Sequence, residues 1–134
     1  MKHVKRILML LIMVATISGC GAQKVEYEPI DIAASRKDRA YELAEDVLFV
    51  TDQFNKGKPQ DHCQELLQMD FDELKELSED EHLSRLDQIT VNSIATNTIV
   101  IICKVESGDY DNVEATDGIK SLMKYLKEGY NTNE

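Results

Sequence analysis

Residues 83–105 read LSRLDQITVNSIATNTIVIICKV, and this stretch decides between two fold classes. Taken with a period of three to four residues, its side chains form one mainly apolar stripe along a helix. The stripe consists of Leu83, Leu86, Thr90, Ile94, Thr98, Ile101 and Val105. Taken with a period of two, residues 88–105 form a β-hairpin that turns at Asn97, because Ile, Val and Thr favour strands.

The rest of the chain favours the helix. Three further stretches have apolar residues at helical spacing between a capping residue and a stop: residues 35–57, 61–77 and 111–129. No other segment predicts a strand, and a two-stranded hairpin alone is marginally stable. We therefore predict an all-α fold, a small antiparallel bundle of about four helices. An α+β fold with a hairpin at residues 88–105 is the alternative.

Composition limits the class of protein. The chain has 134 residues, of which 43% are hydrophobic, which suits one small domain with a globular core. It has 25 acidic and 15 basic residues, a formal net charge of −10. An acidic chain is a poor nucleic-acid binder, because such affinity comes from Lys and Arg on phosphates.

The N-terminus has the layout of an export signal. Lys2, Lys5 and Arg6 precede an apolar run from Ile7 to Ile17. A basic start followed by an apolar run of this length is typical of a secretory signal peptide. The run is shorter than the ~20 residues of a membrane-spanning helix.

The apolar run ends in Ile17-Ser18-Gly19-Cys20, which resembles the lipobox of bacterial lipoproteins at all four positions. The resemblance implies cleavage before Cys20, a diacylglycerol on its thiol and an acyl chain such as palmitate on its new amino group. Gly21 follows the cysteine, and in that family this resembles the class sent to the outer membrane. Two or three acyl chains anchor a protein stably.

These signals divide the chain into four parts. We expect a cleaved signal peptide at residues 1–19, the lipidated cysteine and a flexible tether at 20–34, a helical domain at 35–130 and a frayed tail at 131–134. The mature chain has 12 basic and 25 acidic residues, a net charge of −13. Anionic lipid repels such a domain, so the lipid chain and not the protein surface would hold it at the membrane.

Two cysteines remain after the lipobox. Cys63 and Cys103 in an exported chain predict one disulfide, with two buried free thiols as the alternative. A metal site would add His62 and His82, but the spacing of these four residues matches no zinc pattern. We therefore expect no metal and no cofactor.

The acidic clusters point to helix starts and not to catalysis. Residues 70–73 and 79–81 each contain several carboxylates, which stabilise the first turn of a helix. The first cluster makes a break near Met69 an alternative within the second helix, and Ser78 starts a capping box for the next one. Asp109 and Asp111 resemble the start of a calcium loop, but Val113 and Glu114 occupy positions that need a ligand and a glycine. We expect that the protein is not an enzyme.

Binding is the function class that remains. We expect a lipid-anchored, non-catalytic adaptor that binds an envelope protein on the periplasmic side. One alternative is a protective lipoprotein, of the immunity, inhibitor or phage- and conjugation-exclusion kind, that binds a basic protein. Another is a structural envelope lipoprotein. Phe49, Val50, Ile99 and Val100 lie beside the main apolar stripes, so they either widen the core or form an exposed patch.

Overall fold

A computed structural model describes residues 31–57 and 62–129 of the chain. Four helices make up most of them: α1 (Ile32–Asn55), α2 (Cys63–Ser78), α3 (Arg85–Glu106) and α4 (Val113–Glu128). These residues contain no strand, so the all-α prediction is confirmed and the alternative hairpin does not form. The signal peptide, Cys20 and the tail at residues 131–134 lie outside the described residues.

Contacts at the helix ends show that successive helices run in opposite directions. Nε of Arg36, near the start of α1, lies 3.0 Å from Oδ2 of Asp80, just after α2. At the other end of the bundle, the rings of Phe54 and Tyr110 stack with centroids 6.0 Å apart. Among the four described helices, α1 packs on the other three, whereas α2 and α4 do not touch. The helices therefore form an up-down-up-down bundle with α1 and α3 on its diagonal.

Each helix buries one stripe of side chains in a common core. Burial of one large aliphatic side chain contributes about 1.5–3 kcal/mol. The fully buried aliphatic residues are Leu43, Val47, Leu67, Leu74, Val91, Ile94, Ile101 and Ile119.

Helix α3 shows how the core overrides local strand preference. Thr90 and Thr98 are buried, and their hydroxyls donate to the carbonyl oxygens of Leu86 (2.8 Å) and Ile94 (2.9 Å). These i−4 bonds satisfy the hydroxyls without leaving the helix. The predicted stripe is buried apart from Leu86 in the first turn, which is 51% exposed.

The start of α1 differs from the prediction. The helix begins at Ile32 and not at Ser35, because Asp31 is the N-cap and its Oδ1 accepts the Ala34 N–H at 3.0 Å. An aspartate is as good a cap as a serine, and Ala33 and Ala34 are strong helix formers. Residues 32–34, which were predicted as the end of the tether, therefore belong to the helix. The predicted stop at Gly57 is confirmed, since Gly57 has a φ of +68° after the last turn.

The break predicted near Met69 is also wrong. Helix α2 continues through residues 70–73, because Asp70 lies partly buried beside α1 and Glu73 bonds to Arg39. Ser78, expected to cap the next helix, is the last residue of α2, and its hydroxyl donates to the carbonyl of Lys75. The N-cap of α3 is Ser84, whose side chain accepts the Asp87 N–H.

Helix α3 is also the described helix that is long and apolar enough to cross a membrane. A core helix of a bundle passes the same test. Eight side chains of α3 are buried against the other helices. Packing within the bundle therefore accounts for the apolar residues on its inner face.

Candidate protein-binding surface

The two cysteines after the lipobox have different surroundings. The structure holds both as free thiols, Cys63 buried at the start of α2 and Cys103 exposed near the end of α3. The antiparallel packing of α2 on α3 does bring their positions to the same end of the bundle. Their side chains differ in direction, because Cys63 points into the core and Cys103 points to solvent. The predicted disulfide is therefore not formed in this structure.

The histidines do not join the cysteines. His62 precedes α2 with an exposed side chain whose Nδ1 lies 3.6 Å from Oε2 of Glu65. Within residues 31–57 and 62–129, no three His, Cys, Asp or Glu side chains converge where they could hold a metal ion. His82 lies at the far end of α2 from His62 and contacts Asp80 instead.

Asp80 is the centre of the turn between α2 and α3. Its carboxylate accepts the His82 N–H at 2.9 Å, contacts the His82 ring and pairs with Arg36. Its carbonyl accepts from Nε2 of Gln88 at 2.8 Å. The hydrogen bonds from His82 hold the pKa of Asp80 below its usual value. Through its carboxylate and its main-chain carbonyl, Asp80 ties the end of α2 to α1 and α3, which is a structural role.

The sequence left open whether four apolar residues beside the stripes widen the core or are exposed. The structure shows two of each. Val50 is buried and Ile99 packs against the core, so these two widen the core face. Phe49 is 67% exposed and Val100 is 41% exposed. Phe49 and Val100 therefore lie on the surface of the bundle, on different helices.

Phe49 is level with two exposed apolar residues of α2. Nε of Arg39 bonds to Oε1 of Glu73 at 2.6 Å, and Asp46 and Asp70 interact electrostatically across the same pair of helices. Along this antiparallel register, the next turn of α1 brings Phe49 level with the first turns of α2. Met69 (65% exposed) and Leu66 (46% exposed) lie there. We call Phe49, Leu66 and Met69 the seam patch.

Carboxylates surround the seam patch. Asp70 is partly buried, and this burial, together with the nearby Asp46 carboxylate, raises its pKa to about 6. The ordinary value is 3.8. Desolvation and like-charge repulsion therefore make the ionised form of Asp70 unfavourable in the folded protein. A cation brought beside Asp70 would stabilise its ionised form and so offset both effects.

Leu66 and Met69 were not singled out from the sequence. A break near Met69 would leave the direction of its side chain open, whereas an unbroken α2 places it on the exposed side of the helix. The spacing of three between Leu66 and Met69 places them on one side of a helix. Their angular separation from the buried positions Cys63, Leu67 and Leu74 would have identified them once α2 was taken as continuous.

The grooves between the helices do not suggest a small-molecule site. The groove between α1 and α4 is open and partly charged, lined by Lys37, Asp38, Tyr41 and Lys127 among others. The Nζ of Lys127 lies 5.9 Å from the centroid of the Tyr41 ring. Ligand sites are typically concave and mostly apolar. The seam patch is therefore the better candidate site.

Comparisons with known proteins do not assign a function to this surface. No family model, no curated protein and no solved structure matches the chain at a significant level.

Proposed function

We propose that this protein is a bacterial envelope lipoprotein, anchored by lipid on Cys20, that acts as a small non-catalytic adaptor on the periplasmic side of the outer membrane. The seam patch is the observation that carries the binding role, because it places two side chains that are about two-thirds exposed on one acidic side of a small bundle. Such apolar groups on a soluble surface commonly mark interaction sites.

The geometry suits a tethered binder. Asp31 is eleven residues along the chain from Cys20, so at ~3.3–3.6 Å per residue the start of α1 can lie up to about 40 Å from the lipid. Phe49 is seventeen residues into α1 from Ile32, about 25 Å along the helix at 1.5 Å per residue. A tether of this length leaves the seam patch room to reach a partner in the periplasm.

The charges define the chemistry of the partner. Near the seam patch, α1 contributes Glu45 and Asp46, and α2 contributes Glu65, Asp70 and Asp72. Asp52 of α1 is already paired with Lys56 at 2.6 Å. An apolar centre with a negative rim favours a partner segment whose apolar side chains are flanked by Lys or Arg. A basic side chain beside Asp70 would offset the cost of this partly buried carboxylate by pairing with its ionised form.

The same chemistry supports the second candidate. A protective lipoprotein of the immunity, inhibitor or exclusion kind would use the acidic rim to capture a soluble basic protein. The adaptor should bind a resident envelope complex, whereas the protector should bind a protein that arrives from outside the cell. A structural lipoprotein would have no tight partner at the seam patch.

In-cell photo-crosslinking separates these functions. A photoreactive amino acid at Met69 is expected to give one dominant adduct, and the same amino acid at Ser121, which is exposed on α4, is expected not to give it. A resident envelope protein as the adduct supports the adaptor, and an exogenous basic protein supports the protector. Equal adducts from both positions, or none from Met69, would contradict a binding role for the seam patch.

A matched pair of substitutions tests the contribution of the patch to affinity. Met69→Ser is expected to weaken binding of the crosslinked partner about tenfold or more, as loss of an interface anchor does. Val113→Ser on α4 removes a side chain of similar exposure (60%) away from the patch, and is expected to leave binding unchanged. Equal effects of the two substitutions would argue against the seam patch.

A further inference from the structure

We propose that two copies of this chain associate through the outer face of α3, with the two α3 helices antiparallel. The outer face consists of Ile89, Ser93, Thr96, Val100 and Cys103. It lies away from the seam patch, and the inference does not depend on the proposed function.

The outer face is a continuous stripe of solvent-accessible side chains. Its five positions are spaced four, three, four and three residues apart, so they align along one side of the helix. Ile89 is 47% exposed, Val100 is 41% exposed, and Thr96 and Cys103 are also exposed. The core side chains of α3, such as Ile94 and Ile101, lie on the opposite side.

This face is uncharged in a strongly acidic protein. The sixteen residues from Gln88 to Cys103 contain no Asp, Glu, Lys, Arg or His. In the other three described helices, no uncharged run exceeds five residues. With 30% charged residues in the chain, a run of this length on a helix that reaches solvent is unusual.

A second copy fits the face better than another partner does. Two strongly acidic molecules repel each other wherever their carboxylates meet, and the middle of the outer face has none. The groove at its Ile89 end is lined by both signs of charge, Lys75 and Arg85 with Glu79. A basic partner would instead favour the carboxylates around the seam patch. A two-fold interface pairs a surface with itself, which an uncharged stripe permits.

The charges at the two ends of α3 select the antiparallel arrangement. Arg85 and Glu106, both exposed, are the first and last residues of the helix, and they are equidistant from the middle of the uncharged run. Antiparallel pairing about Thr96 brings each Arg85 towards the Glu106 of the other copy. Parallel pairing would place like charges together at both ends.

The size of the face indicates a reversible dimer. Ile89 to Cys103 spans fourteen residues, about 21 Å of helix at 1.5 Å per residue. One helix face of this length is smaller than the ~800 Å² per partner of a standard stable interface. We therefore expect monomer and dimer in a concentration-dependent equilibrium.

Charge reversal tests the arrangement without harming the helix. Arg85→Glu places an acid at the start of α3 and Glu106→Arg places a base at its end, and both favour the helix dipole. Each single reversal is expected to weaken dimerisation of the full-length chain in detergent at least threefold, measured by sedimentation. The double reversal is expected to restore it. Failure of the double variant to recover would overturn the antiparallel interface.

Two lysine substitutions locate the face. Val100→Lys and Thr96→Lys are expected to weaken dimerisation at least tenfold while circular dichroism shows an unchanged helical fold. Met69→Lys, on the exposed side of α2, is the control and is expected to leave it unchanged. A chain that is monomeric at every concentration, or whose dimer is lost with Met69→Lys and kept with Val100→Lys, would overturn the proposal.

Crosslinking tests the register. In the antiparallel dimer the two Thr96 positions meet, so Thr96→Cys combined with Cys103→Ser is expected to form a crosslinked dimer under mild oxidation. The two Cys103 thiols lie about 21 Å apart along the helices in that arrangement, because each is seven residues from the centre. Parallel pairing in register would bring the two Cys103 thiols together as well as the two Thr96 positions, so a crosslink through Cys103 would show parallel helices and overturn the proposal.

Discussion

Single polar residues in partly or fully buried positions set how this bundle responds to solution conditions. Asp70 is the clearest, because its raised pKa lies near neutrality. A folded-state pKa above the unfolded value means that the folded protein binds the proton more tightly. The free energy of unfolding therefore falls as the pH rises from about 4 to about 6 and stays lower above that range.

Asp70→Asn is expected to raise the free energy of unfolding at pH 7 by about 1 kcal/mol. This figure is well below the full effect of the pKa shift, because water still reaches the side chain. Urea unfolding at pH 7 and pH 4.5 measures it, and the gain should shrink at the lower pH. Asp72→Asn, at an exposed position, is the control. A gain of equal size at both pH values would contradict the electrostatic cause.

Asn112 is a second polar residue in an unfavourable place. It is completely buried before α4, and neither its Oδ1 nor its Nδ2 has a hydrogen-bond partner in the structure. Asn112→Leu keeps the branched shape and removes the unpaired amide, so it is expected to stabilise the fold by about 1 kcal/mol in thermal unfolding. Asn55→Leu, at the exposed end of α1, should be neutral. Strong destabilisation by Asn112→Leu would show that the amide is paired.

The two thiols are expected to differ in reactivity. Maleimide should modify Cys103 in the folded chain within minutes, whereas Cys63 should react only in denaturant, because burial blocks access to its sulfur. Mass spectrometry after labelling with and without urea distinguishes the two sites. Two unreactive cysteines that become reactive together on reduction would instead show the disulfide expected from the sequence.

At the scale of a helix, α3 shows best how core packing outweighs local strand preference. Its β-branched residues favour a strand locally, yet they form a helix whose inner face completes the core. Ile94 and Ile89 are the same residue type on opposite faces, one fully buried and one 47% exposed.

Ile94→Ala is expected to cost about 2–5 kcal/mol in the free energy of unfolding, as aliphatic truncations in a packed core do. Ile89→Ala is expected to change it by less than about 0.5 kcal/mol, since exposed positions rarely matter more. Chemical denaturation of dilute protein makes the comparison. Similar losses for both would contradict the assignment of inner and outer faces on α3.

The boundaries of the elements depended on partners more than on local signals. Helix α2 was expected to break at residues 70–73, where the acids resembled a cap. In the structure, Glu73 bonds to Arg39 of α1, so the helix continues through this segment. A carboxylate at a helix start and one in a cross-helix pair look alike in sequence, because both are acids beside apolar residues.

For the whole molecule, the bundle order determines where each surface lies relative to the proposed anchor. The start of α1, the turn around Asp80 and the end of α4 share one end of the bundle. The seam patch lies towards the other end, on the α1–α2 side, and the outer face of α3 lies across the diagonal from α1. Partner binding and self-association would therefore use separate surfaces.

The lipid anchor is tested on the full-length chain in a bacterial host. The wild-type protein is expected to enter the detergent phase on phase separation, and Cys20→Ser is expected to remain in the aqueous phase because it cannot carry acyl chains. Globomycin should cause the precursor to accumulate. Unchanged processing with globomycin, or a Cys20→Ser protein in the detergent phase, would contradict lipidation.

The sequence by itself determined the helical class and most of the core, because the burial of one stripe per helix follows from apolar spacing along each segment. It also carried the lipobox prediction, since that motif is local. Only the tertiary structure decided that α2 is continuous, that Cys63 and Cys103 face different ways, and that Phe49 is level with Leu66 and Met69 along the bundle. Those properties depend on the register between helices, and register is set by packing among residues that are distant in the chain.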